Sequence, residues 1–225
     1  MLLELLLACA SPRSDHTVTY RLEWDTSGVT ATESGWSVVH DGAEIHVSSA
    51  YLTTARTQLG TCYVALRGWG SVAWAGHAGD LGPTAVFEAT VEPLGPAPGW
   101  DFGARELDQA YCAAEWVVGH ADPETVSPAD VAMEGLTLSM DVRVVLASGG
   151  ERDLHLESNE TWRRFAGFED GGALDAGLSS GTVVFVRPLA RLFEGVDVEQ
   201  VTEDELAAAI LSRLVAHTRV TLEVP

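Results

Sequence analysis

Six apolar residues at alternate positions, Leu136, Leu138, Met140, Val142, Val144 and Leu146, constrain the fold more than any other feature of this chain. Successive side chains of a strand point to opposite faces, whereas a helix brings its faces round every 3.6 residues, so only an extended strand presents all six to one core. The same period governs Val18, Tyr20, Leu22 and Trp24, with Thr17, Thr19, Arg21 and Glu23 between them. It recurs on both sides of Asp41-Gly42, a dipeptide suited to the left-handed conformation of a two-residue hairpin turn. That turn pairs Val38 with Ile45 and Ser37 with His46. Trp36, Val38, Ile45 and Val47 then share an apolar face, and His40 and His46 fall on opposite faces.

Further strands are expected over 86–91, 111–118, 153–156, 182–187 and 219–224. One helix is expected late in the chain, where Thr202 and Glu205 form a capping box, Glu203 and Asp204 suit the first turn, and Leu206, Ile210, Leu211 and Leu214 repeat at helical spacing. The stretches 68–84, 93–103 and 120–135 read as long Gly- and Pro-rich connections. Many strands at hairpin spacing with one late helix give an all-β fold, mainly an antiparallel β-sandwich, with one C-terminal amphipathic helix. Residues 1–16 read as a signal or lipobox remnant and tether, and 17–225 as a single sandwich domain.

The charge balance limits the partners. Against 33 acidic residues stand 13 basic ones, all arginine, and this excess disfavours nucleic acid and anionic lipid surfaces, which are gripped by clustered cations. At the N-terminus, Leu6-Leu7-Ala8-Cys9 looks like a lipobox, making Cys9 the lipid attachment point and a lipid anchor the one expected link to a membrane. Cys62 and Cys112 then remain as an even pair in an oxidising compartment, where a disulfide is expected.

Few patterns announce chemistry. Gly177-Leu178-Ser179-Ser180-Gly181 matches the serine-hydrolase elbow, but that motif requires a strand entering a helix, and here a strand follows it. Paired carboxylates are too abundant to single out any for acid–base work, so no enzyme is expected. The seven histidines contain neither H-x-H nor H-x-x-x-H. His155 reads as a solvent-facing strand residue and His217 as a helix-end residue complementing the dipole. His77 and His120 differ, each lying at a strand-to-loop exit beside tryptophan and carboxylate. With Glu115, Asp80 or Asp122 as further donors they make a candidate copper or zinc site.

Four stretches resemble those of a group of uncharacterised bacterial lipoproteins: Ala50-Tyr51-Leu52 running on to Gly60-Thr61-Cys62, Ala73-Trp74-Ala75-Gly76-His77, Tyr111-Cys112-Ala113-Ala114-Glu115-Trp116, and Leu192-Phe193-Glu194-Gly195-Val196-Asp197. More remotely, the strand order and the Trp and His usage are similar to MbnP-like copper-associated periplasmic proteins, a likeness that implies a copper site including Trp74 and His77. The resulting expectation is a lipid-anchored cell-envelope binding protein in the periplasm or at the outer membrane, with a transition-metal (copper) site at His77, His120, Glu115 and Trp74. The alternative is a cofactor-free sandwich that docks a protein partner of the envelope through an aromatic patch around Trp69, Trp74 and Trp100.

Overall fold

A computed structural model describes residues 16–62, 82–125, 131–175 and 180–224. Its strands form two sheets. The smaller sheet runs β12-β11-β1-β6, built from β1 (Thr17–Asp25), β6 (Trp100–Glu106), β11 (Gly181–Pro188) and β12 (Arg219–Glu223). Strands β1 and β11 pair in parallel, and the other ladders are antiparallel. The larger, eight-stranded sheet is organised by β4 (Ala43–Thr61), a strand of 19 residues. On one edge β4 pairs with β3 (Gly35–His40) and then β5 (Thr90–Pro93). On the other it pairs with β8 (Leu138–Val145) and then β7 (Tyr111–Val118). Strands β2 (Thr30–Thr32), β9 (Glu151–Ser158) and β10 (Trp162–Gly167) extend the sheet from β3, β8 and β7.

The alternating patterns find their core. Val18, Tyr20 and Leu22 are buried along β1, and Leu138, Met140, Val142 and Val144 along β8. The hairpin register is the expected one, with Val38 opposite Ile45 and Ser37 opposite His46. Helix α1 (Glu203–His217) begins with the reciprocal Thr202–Glu205 capping box and buries Leu206, Ile210, Leu211 and Leu214, packing against β9, β10 and β11. It thereby touches both sheets, β9 and β10 belonging to the larger and β11 to the smaller.

Three elements differ from the sequence reading. Strand β4 changes register against its partners between Val47 and Ser49, between Thr54 and Arg56, and between Gly60 and Thr61. The first two bulges insert Ser48 and Ala55 into β4 and shift its alternation, while at the third the extra residue is Cys112 of β7, so the inward positions of β4 run Ala43, Ile45, Val47, then Ala50, Leu52, then Thr57, Leu59. A strand of 19 residues is thus hidden behind a pattern that looks broken after Val47. The expected connection over 93–103 instead leads into edge strand β6, whose Trp100 and Phe102 are only partly buried. The strand expected over 86–91 is displaced to Thr90–Pro93, with Val86 joined to Thr57 by an isolated bridge.

Cys62 and Cys112 form a disulfide with Cα atoms 4.7 Å apart. It joins the end of β4 to the start of β7 and is compatible with an oxidising compartment. Among the described residues, no helix is long and apolar enough to cross a membrane.

Candidate binding cavity

Polar residues occupy the inward phase of several strands at one place in the sandwich. In β11 the alternation Val183, Phe185 leads to Arg187, which is 2% exposed. In β5, Glu92 stands opposite Leu52 of β4 and is equally buried. The two meet across the gap between the sheets, Arg187 Nη2 lying 2.7 Å from Glu92 Oε1. Arg187 Nη2 also donates to Thr54 Oγ1 at 2.9 Å, and the Thr54 hydroxyl donates to Glu92 Oε1 at 2.8 Å. Behind the guanidinium lies Trp24, its neighbour in the parallel ladder, with Arg187 Cζ 5.9 Å from the indole centroid. Burial pushes the Glu92 carboxyl up, against the opposing pull of Arg187 and the Thr54 hydrogen bond. Burial likewise lowers Arg187, yet an arginine remains charged inside proteins because its ordinary value is so high.

Around this pair lies a cavity of about 20 Å³, partly open to solvent, a little more than the roughly 10–15 Å³ that admits one water. Leu22, Trp100, Phe102 and Phe185 of the smaller sheet and Trp116 and Val86 of the opposite side supply apolar walls, with Thr90 and Glu88 among the polar ones. Arg187 Nε and Nη1 and Trp116 Nε1 have no hydrogen-bond partner among the described residues, and both residues line the cavity, whereas the guanidinium of Arg56, a further lining residue, is turned to Glu115 on the other face of the larger sheet. Every one of these atoms is an N–H donor. Buried polar groups ordinarily find partners, and leaving one unmade costs about 1–3 kcal/mol. The concentration of unmet donors around one cavity therefore marks it as a place suited to an acceptor.

Of the expected metal donors, Glu115, His120 and Asp122 lie among the described residues. Glu115 is 5% exposed, and its oxygens accept from Arg163 Nε at 2.6 Å, Arg163 Nη2 at 2.8 Å, Arg56 Nη2 at 2.8 Å and Gln58 Nε2 at 2.9 Å. Burial works to raise this carboxyl, but the hydrogen bonds from Arg163, Gln58 and Arg56 outweigh it and hold the group below the ordinary range. Both its oxygens are committed, which leaves a cation competing with two guanidinium groups. His120 is exposed just beyond β7, and Asp122 turns its side chain to Thr125 and the Glu124 N–H. Trp74, His77, Asp80, Trp69 and Cys9 lie outside the described residues. Among the described residues, no group of three or more His, Cys, Asp or Glu side chains is placed to hold a metal ion.

His40 and His46 are held apart, as the hairpin register implies: His40 Nε2 accepts from the Gly195 N–H at 3.1 Å, while His46 Nε2 sits 3.4 Å from Glu44. His155 is exposed, with Nδ1 2.7 Å from Asp141 and Nε2 3.2 Å from Glu157. A wider depression of about 650 Å³ adjoins His40, Ala147 and Gly195, but none of the unpartnered buried atoms belongs to its walls.

Arg187, Glu92 and Arg56 were not anticipated as site residues. A signal existed in the strand read over 182–187, since the inward phase of Val183 and Phe185 carries on to a charge. For Arg56 no such signal existed, because the bulge at Ala55 conceals its phase. No family model matches the chain, and neither a curated protein nor a solved structure matches it.

Proposed function

We propose that this chain is an exported, non-catalytic binding protein of the cell envelope, held to a membrane by lipid at Cys9, whose ligand is received between the two sheets beside Arg187. The observation that carries the binding reading is the set of unpartnered N–H donors on Arg187 and Trp116 around a cavity with apolar walls. Ligand sites combine mostly apolar walls with a few convergent polar groups that fix orientation. The Cys62–Cys112 bond supports export, and the Leu6–Cys9 stretch supports the lipid anchor. A binding role suits the two buried carboxylates, since Glu92 and Glu115 are both engaged by arginine and neither is free to shuttle protons.

Two measurements test this reading. Thermal unfolding in the presence of small organic acids, amides and alcohols should show a saturable rise in Tm for one class, diminished in Trp100→Ala, because bound ligand stabilises only the folded state. No saturable rise with any class contradicts the binding role. Mass spectrometry of membrane-extracted protein should show a lipid-modified Cys9 as the first residue, and an unmodified Cys9 contradicts the anchor.

A further inference from the structure

We infer that the cavity receives a small monovalent anionic group, either the carboxylate terminus of an organic acid or a free halide-sized ion, through the N–H donors of Arg187 and Trp116. This rests on the reading of the intersheet cavity as the binding site, and it specifies the chemistry of what binds.

Three observations select the class. The first is the sign of the unmet hydrogen-bonding capacity. Arg187 Nε, Arg187 Nη1 and Trp116 Nε1 all donate, whereas the acceptors that touch Arg187 already take hydrogen bonds: Glu92 Oε1 takes bonds from Arg187 and Thr54, and Thr54 Oγ1 takes one from Arg187. An acceptor-only group completes such a set of donors, whereas a neutral amide brings donors of its own. The second is the surroundings of the Arg187 guanidinium. Trp100, Phe102, Trp116 and Phe185 form the walls, and hydrogen bonds from charged donors strengthen where the local dielectric is low. The third is size and charge. A volume of about 20 Å³ is small for a tetrahedral oxyanion, and a second negative charge would meet the carboxylates of Glu88 and Glu92, which also line the space. A single charge on one or two leading atoms satisfies both limits.

The test is a titration of the intact protein followed by intrinsic tryptophan fluorescence, since Trp100 and Trp116 both border the cavity. The probes are sodium acetate, acetamide, sodium chloride and sodium sulfate at matched ionic strength. Acetate should give a saturable change that acetamide and sulfate do not. Chloride producing the same change indicates a free-ion site, and acetate alone a site for a carboxylate terminus. In Arg187→Lys, which keeps the charge while removing Nε and Nη1 and is checked for folding by circular dichroism, the acetate midpoint should rise about tenfold, as expected for the loss of one charge-assisted hydrogen bond. Trp116→Phe provides a second variant that keeps an aromatic wall while removing the indole N–H. A saturable response to acetamide without one to acetate leaves the cavity a binding site but overturns the anionic class. No saturation with any probe overturns both, and a midpoint unchanged in both variants shows an adventitious ion only.

Discussion

Arg187 of the smaller sheet and Glu92 of the larger meet at 2.7 Å across the sandwich, each side chain 2% exposed. Two charges removed from water offset one another only while both are present, and deleting one leaves the other stranded at a cost of about 3–5 kcal/mol. Glu92→Ala should therefore destabilise the protein by about that amount in urea unfolding. Replacing the pair together, Glu92→Leu with Arg187→Met, should cost much less, because an apolar pair of similar volume carries no desolvation penalty. Equal destabilisation by the single and double variants would show that packing, and not the stranded charge, dominates.

The Cys62–Cys112 bond closes a loop of 50 residues between β4 and β7. Constraining the unfolded chain over that length is worth about 4 kcal/mol in the loop-entropy description. Reduction, or Cys62→Ser with Cys112→Ser, should lower the unfolding free energy by about 3–4 kcal/mol. A change below about 1 kcal/mol would mean that native packing in this region is rebuilt without the bond.

His155 supplies the pH dependence. Its hydrogen bond to Asp141, reinforced by one to Glu157, raises the imidazole above its ordinary 6.5. A raised folded value means that the interaction stabilises fully below the unfolded value near 6.5. The contribution is then lost as pH climbs through the raised value. With the imidazole 57% exposed, solvent screening keeps the effect below about 1 kcal/mol. Proton NMR titration should find His155 above 6.5 in the wild type and lower in Asp141→Asn. An unchanged value in the variant would assign the shift to another group.

The period-two alternation made the sandwich legible because β1, β3 and β8 each keep a single phase from end to end. Thr202 and Glu205 marked the helix start for an equally local reason, since a capping box is complete within four residues. What escaped depends on interruptions and on distance. The bulges of β4 at Ser48 and Ala55 shift its inward phase, so Ala50 and Leu52 fall out of step with Ile45 and Val47 before Thr57 and Leu59 return to it. Edge strand β6 has one face only partly covered, and its alternation is confined to the short run Trp100-Asp101-Phe102-Gly103. The cavity was illegible because Arg187, Glu92 and Trp116 lie far apart in the chain and come together only when the sheets pack. The neighbouring tryptophan and carboxylate drew attention to His120 and Glu115, yet the hydrogen bonds that engage Glu115 come from Arg56 and Gln58 on β4 and Arg163 on β10.

The central claim, that the binding site lies between the sheets at Arg187, is tested most directly by two-dimensional ¹H–¹⁵N NMR of the arginine Nε–H and tryptophan indole signals during an acetate titration. The account predicts saturable shifts at the Nε–H of Arg187 and at the indole N–H of Trp116, with the Nε–H of exposed Arg143 unmoved. Shifts confined to Arg143 and other surface arginines, with the Arg187 and Trp116 signals stationary at saturating acetate, would contradict it.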